Sequence, residues 1–381
     1  MLETRSVHPC ALDSQDVETW RAMASAHPEF RNPLLGPDFA QAVGALRPDA
    51  RVAIFRRHGR VLGYLPYHRR ACGQAWPIGA PLSDYHALVG VADAGLDGRD
   101  ALAAAGLSAF RFGGLVDPFE VFGPGADQVG HVIAPADGPE AYLEQVRAAN
   151  PKKIKNYRRL GAKLERECGA VRLVADDRSR PAFDQLIAWK REQLMRTGTH
   201  DFLGADWSLD LVTRLFEGQQ GELRGLMICL YAGDTLVAGH FGVRQGEVFH
   251  PWIASTHPDY GPWSPGHQLF PRAIAAMPAL GLTTYDLGCG HDHYKSVYAL
   301  RTRIVTAGLA TAGNLAGDIA RSIDAAWLLA GAESPGPVGR LRRRMDAIAK
   351  VDLTLSGRLR GLAFAVASQD RRRRATEHEQ P

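Results

Sequence analysis

Two stretches about 175 residues apart limit the folds open to this chain. "GLSAFRFGGLVDPFE" spans 106–120 and "GLTTYDLGCGHDHYK" spans 281–295. In both, Gly-Leu and two small residues precede an aromatic, a charged residue, an apolar residue and glycine. A match at this distance signals duplication of a whole structural unit. Other landmarks hold the register. "RVAIFRRHGRVLGYLPY" (51–67) and "LMICLYAGDTLVAGHFGV" (226–243) each read as two strands around a Gly turn. Gly63 falls on Gly239 and Trp76 on Trp252 at an offset of 176; Asp84-Tyr85 falls on Asp259-Tyr260 and Gly106 on Gly281 at 175. The 381 residues give room for two ordinary domains.

Each unit reads in one order: helix, hairpin, strand, helix, strand. In the second, 181–198 carries Phe183, Leu186, Ile187, Trp189 and Leu194 near helical spacing. A third strand is expected over 246–256, a helix over 264–280 with Ser264 as N-cap and Pro265 at its first position, and a strand over 283–288. Pro271 and Pro278 predict that this helix is short or kinked. The expected fold class is α/β (α+β): two tandem domains with mixed central sheets flanked by helices, then a helical C-terminal tail. Boundaries are placed at 1–145, a connector helix at 146–170, a second domain at 171–312 and a basic tail at 313–381.

Between the units, "PKKIKNYRRLGAKLERECG" (151–169) sets seven cations against Glu165 and Glu167, with Ile154, Tyr157, Leu160 and Leu164 at helical spacing. This basic helix is either a solvated connector or one wall of an anion-binding cleft. Net charge is +4, yet residues 331–381 hold 11 Lys/Arg and 6 Asp/Glu, so the rest is nearly neutral. That argues against a nucleic-acid-binding body and directs any anionic partner to the tail. The five cysteines have no CxxC spacing, so free thiols in a reducing compartment are expected. There is no secretory h-region and no apolar run of about 20 residues, so the expected location is cytoplasmic, with peripheral contact at the inner face of the membrane as an option.

"YGPWSPGHQLF" (260–270) leads a strand into a helix N-terminus, where unpaired N–H groups and the helix dipole favour an anion. Gly261 and Gly266 permit close approach by a phosphate-bearing ligand, and Ser264, His267 and Gln268 supply donors. No Walker lysine pattern is present, and no GxGxxG follows the first strand.

This order of elements resembles the GNAT N-acetyltransferase fold. The duplication, the basic helix, "SPG" at 264–266, "WKREQLMRTGTHDF" (189–202) and "YDLGCGHDHYKSVYA" (285–299) resemble the CelD/BcsL group, polysaccharide-associated relatives of the FemAB transferases. The resemblance covers roughly residues 15–310 and rests on Asp286, Gly288, Gly290, Asp292, Tyr294 and Lys295. His293 stands where the group often has Glu. The resemblance implies acetyl-CoA as acyl donor, held at the turn before the second unit's helix. It implies an amino-sugar acceptor on a saccharide or lipid-linked saccharide. A Fem-like aminoacyl transferase, with RNA against residues 151–169, and a non-enzymatic effector are the rival readings.

Acyl transfer to an amine needs a proton acceptor, a donor for the developing oxyanion and an acid for the leaving thiolate. Tyr294 and Tyr298 follow the last strand, where the GNAT resemblance places the acid. His240, His250 and Asp286 lie on strands that could face the cleft, and Lys295 follows Tyr294. Each has a plainer alternative: a core histidine, a turn-capping aspartate, a surface lysine. Alternation allows His240 and His250 to meet if the register permits. His291, Asp292 and His293 are consecutive and poorly spaced to share an ion, so no metal is expected. The first copy has Arg111 at the place of Asp286 and Val116-Asp117-Pro118 at the place of the His-Asp-His run. It is therefore expected to keep the fold without the chemistry and to form one wall of the cleft.

In the tail, Arg340, Arg342, Arg343 and Arg344 cluster, Arg371–Arg374 form a run, and "GLAFAVA" (361–367) lies between basic flanks. A solvated helix, an anionic membrane surface and cyclic di-GMP are the open readings. The last rests on Arg321-x-x-Asp324 and Arg343-x-x-Asp346.

Overall fold

A computed structural model of the chain describes residues 2–218, 221–290, 292–334, 336–352 and 358–359. The first half contains β1 (Glu3–Val7), α1 (Ser14–Ala26), α2 (Pro37–Gly44), β2 (Ala50–Arg57), β3 (Arg60–Arg69), β4 (Gln74–Pro77), β5 (Val89–Gly90), α3 (Gly98–Ala104), β6 (Ala109–Leu115) and β7 (Ala126–Ile133). Two helices follow, α4 (Pro139–Ala149) and α5 (Pro151–Cys168). The second half contains β8 (Val171–Ala175), α6 (Arg180–Thr197), α7 (Asp206–Glu217), β9 (Leu223–Ala232), β10 (Thr235–Gln245) and β11 (Val248–Thr256). It continues through α8 (Pro265–Ala276), β12 (Thr284–Cys289), α9 (His293–Tyr298) and β13 (Arg301–Thr311) to α10 (Leu315–Leu329) and α11 (Pro337–Val351).

Both halves show the expected order. Hairpins β2–β3 and β9–β10 are each followed by a strand, a helix and a strand parallel to the previous one, β4–α3–β6 and β11–α8–β12. The sequence reading expected two sheets; the structure has one mixed sheet. Its order is β1-β2-β3-β4-β6-β13-β7-β12-β11-β10-β9-β8, with β5 beside β3. The halves merge because they exchange strands. β7 leaves the first half to pair with β12, and β13 returns from the second to lie between β6 and β7.

Three apolar cores hold the layers. α3 packs over Phe110 and Phe112 of the first half. α8 packs over Tyr285 and Leu287 of the second. On the other side, α1, α2, α6 and α7 share one core that joins Trp20, Phe39, Ile54 and Tyr64 to Phe183, Trp189, Val212 and Phe241. Burial of this many large side chains, at roughly 1.5–3 kcal/mol each, fixes the halves against each other.

α8 ends at Ala276, short of Pro278, and is uninterrupted across Pro271, which lies inside it. Ser264 occupies the N-cap position but in a left-handed conformation (φ 50°, ψ 58°), and its side chain makes no capping bond. α5 turns Leu164 inward and Lys152, Lys153, Lys155, Arg158, Arg159 and Arg166 outward to solvent, the connector geometry. In the tail, the C-terminal carbonyls of α11 are held by both halves. Val351 O accepts from Arg47 (3.5 Å) and Trp207 Nε1 (3.2 Å), and Ala349 O from Arg70 (3.3 Å). Both Arg-x-x-Asp carboxylates are engaged internally: Asp324 accepts from Arg111 (2.6 Å) and Arg342 (3.3 Å), and Asp346 from Arg342 (3.0 Å). Residues 361–367 and Arg371–Arg374 lie outside the described residues. Among the described residues, no helix is long and apolar enough to cross a membrane, and no group of three or more His, Cys, Asp or Glu is placed to hold a metal ion.

Candidate active site

The parallel strands β11 and β12 pair only at Val248–Thr284 and Phe249–Tyr285, although they run on to Thr256 and Cys289. Beyond that point they part, and their facing backbone groups are not paired with each other. The result is a wedge in the middle of the second half. Two cavities lie by it.

One cavity, about 510 Å³, is bounded by α6, the end of β11 and the entrance of α8. Gly261, Ser264, Gly266, His267, His240 and Tyr294 line it. A Cβ on Gly261 would meet nothing within 4 Å, and one on Gly266 only the Thr256 methyl at 3.4 Å, so side chains do not plug the helix mouth. His267 stacks on Tyr157 of α5 (3.8 Å between centroids). Burial holds its imidazole down to about 4, and its Nδ1 finds no hydrogen-bond partner among the described residues. The buried Ser255 hydroxyl, on the same wall, also lacks one there. Open glycines, a 12-residue helix entrance and orphaned polar atoms fit a phosphate-bearing ligand.

His240 bonds the Tyr285 hydroxyl through Nδ1 and packs on Phe270, and burial keeps it neutral, with its pKa held down to about 3. Tyr294 lies across Phe270 (5.2 Å, 28°), with its hydroxyl 3.4 Å from Asp292. Burial pushes its phenol above the ordinary tyrosine range, so it keeps its proton at neutral pH. Lys295 is buried; its ammonium donates to Cys289 O and lies 3.4 Å from Asp292, which fastens the turn after β12. Gln268 does not line the cavity. Its amide donates to Tyr157 O (2.8 Å) and packs under Gly161, fixing α5 on α8, so the side chain is not free to meet a ligand. Tyr298 is buried, with its hydroxyl on His267 O (3.0 Å).

Asp286 and His250 lie on the opposite side of the sheet, as alternation from Tyr285 requires. Asp286 accepts from Tyr85 (2.9 Å), Asn32 (3.0 Å) and Gly288 N (3.0 Å), and Arg303 stands 3.8 Å away. It borders the second cavity, about 620 Å³, between the halves, with Asn32, Arg301 and Arg303. His250 is fully buried, its Nδ1 3.9 Å from Asp286 and its Nε2 3.3 Å from Asp84. His240 and His250 do not meet. His240 is level with Ala254 and His250 with Val243, because a bulge leaves Trp252 without a partner between Ile253 and Pro251. The extra residue turns His250 to the other face, a shift that alternation could not reveal. Asn32, Tyr85, Asp84 and Arg303 escaped the sequence reading, since nothing local marks residues that reach the wedge from elsewhere.

Residues 151–296 match the family model described as acetyltransferase (GNAT) domain. No curated protein matches the chain. Among solved structures, FemX is similar at 12% identity over 84% of this chain and 99% of that one, with a TM-score of 0.51. The C-terminal domain of a putative lysylphosphatidylglycerol synthetase from Agrobacterium fabrum aligns at 13% identity, 83% and 96% coverage and a TM-score of 0.48. A tandem GNAT protein from the clavulanic acid biosynthesis pathway aligns at 12%, 82% and 99%, and 0.43. Such identities speak to fold alone. The segment that matches the GNAT acetyltransferase model, residues 151–296, is thus built into a sheet that it shares with an N-terminal half of the same strand order.

Proposed function

We propose that the chain is an acyl-CoA-dependent N-acyltransferase, with acetyl-CoA as donor and an amino sugar of an exopolysaccharide or its lipid-linked precursor as acceptor. The observation that carries this reading is the open mouth of α8 beside the wedge, inside the segment that matches the GNAT model. The CelD/BcsL resemblance, with holdfast synthesis as the nearest setting, supports the saccharide acceptor. We divide the chain at 1–145, 146–170, 171–312 and 313–381, with the second unit as the catalytic one.

Gly261, Ser264, Gly266 and His267 would hold the phosphate-bearing carrier, and Gln268 acts by fixing α8, at whose entrance they stand. The thioester, when bound, supplies an activated acyl carbon. Tyr294 holds a phenolic proton at the cavity wall and can hand it to a departing thiolate. Neutral His240 orients Tyr285 under the same wall. Lys295 holds the turn that presents Tyr294. Asp286 and His250 form the polar floor on the acceptor side.

Calorimetry tests the reading. The intact chain is expected to bind acetyl-CoA, and Gly266→Trp, which fills the cavity, to lose it. Failure of the wild type to bind acetyl-CoA would reject the proposal. Transfer that requires charged tRNA would replace it with the Fem-like aminoacyl transferase, for which the outward cations of α5 offer an RNA surface.

A further inference from the structure

The first half was expected to be chemically silent, yet it sends a carboxylate into the second half's wedge. Asp84 lies in the loop between β4 and β5, and its Oδ2 stands 3.3 Å from His250 Nε2. Gly288 of β12 has φ +70°, and a Cβ there would lie 2.1 Å from the same Asp84 oxygen. Only glycine leaves room for this carboxylate at the wedge. Its loop is held tightly: His86 N donates to Gly114 O (3.2 Å), Ser83 Oγ to Tyr85 O (2.7 Å), and a Cβ on Gly114 would lie 2.0 Å from Asp84 O. Within the Asp84–His250–Asp286 row, His250 is 0% and Asp286 3% exposed in the side chain, whereas Asp84 is 39% exposed. Asp84 is thus the most exposed carboxylate of the row, while Asp286 borders the second cavity from below. His250, wedged between two carboxylates with Asn32 Nδ2 3.4 Å from its Nδ1, holds Asp84 in place.

We propose that Asp84, supplied by the first half, receives the proton of the acceptor amine in the second half's wedge, with His250 as its positioning residue. This rests on the N-acyltransferase reading above. The acceptor arrives as an ammonium and passes one proton to the Asp84 carboxylate, which releases it to solvent at its exposed edge. The freed nitrogen lone pair forms the C–N bond to the thioester carbonyl carbon. The carbon–sulfur bond then breaks, and the second nitrogen proton leaves as the thiolate is protonated to a thiol. The charged and titratable groups around Asp84 and His250 are Asp286, Tyr85, His86 and Cys289, with Arg303 beyond them, Tyr294 from α9 and Lys350 from α11.

The test uses the full chain with acetyl-CoA and glucosamine as probes, following thiol release, with acetyl-CoA affinity measured separately. Asp84→Asn is expected to keep acetyl-CoA affinity within about twofold and to lower kcat by about a hundredfold or more. The acid limb of the pH–rate profile, where the wild type loses rate as the base is protonated, should vanish. Asp84→Ala should regain rate with added formate, a response that a purely structural role would not give, and Asp84→Glu should retain part of it. A kcat within about threefold of wild type and an unchanged acid limb for Asp84→Asn overturn the inference while leaving the transferase reading intact. Should Asp84→Asn fail to fold, the absence of formate rescue in Asp84→Ala overturns it equally. If the wild type neither binds acetyl-CoA nor releases thiol, both fall together.

Discussion

The same helix enters the sheet twice, and the two entrances differ. At α8, the Gly266 position opens on a cavity and Ser264 offers no side-chain cap. At α3, Gly98 sits under Val121 and Phe122, where a Cβ would lie 2.7 Å from both, and its N–H donates to Val121 O at 2.7 Å. Asp97 then caps the next turn by accepting from Asp100 N at 3.1 Å. α3 has seven residues and a covered, acid-capped mouth; α8 has twelve and an open one. One duplicated frame is closed at one helix mouth and open at the other, and the residues at each mouth decide which.

The broadest challenge strikes both halves. Burial holds His86 down to about 3 in the first half, and His240 to about 3 and His267 to about 4 in the second. Each folded value lies below the ordinary value of about 6.5. Their contribution is therefore complete above pH 6.5 and is lost as pH falls through the folded values. Denaturant titrations from pH 7 to pH 4 should show stability falling steadily; a flat profile would contradict the buried, neutral state of all three.

Next in size is the contrast at the equivalent positions 286 and 111. Asp286→Ala leaves Tyr85, Asn32 and Arg303 facing an empty buried site and should cost about 3 kcal/mol in urea unfolding. Arg111→Ala removes a partly exposed partner of Asp324 and should cost less than about 1 kcal/mol. Equal losses would break the assignment of different roles. Carrying the first half's acid to the second, Ser264→Asp, should weaken acetyl-CoA about tenfold without lowering the melting temperature. At the covered mouth, Asp97→Ala should cost about 1 kcal/mol of stability with acetyl-CoA affinity unchanged.

Much of this architecture could be read from local pattern. Both hairpins, the strand–helix–strand units and α5 follow from periodicity and turn chemistry. What escaped depends on distance or on a single inserted residue. No local signal says that Ala126–Ile133 leaves its own half, because its partners are chosen by exposed sheet edges more than 150 residues away. Trp252 in the bulge inverted the face of His250. Gln268 has the composition of a ligand donor, but it faces Gly161, where any larger residue would collide with it. Asp84 was visible only as a landmark in the duplication.

The exchange of β7 and β13 makes the molecule inseparable. Sever the chain near residue 150, and each fragment keeps a strand that belongs in the other's sheet while leaving its own edge bare. The N-terminal copy cannot be discarded, since the copy that matches the GNAT model would be left with a torn sheet.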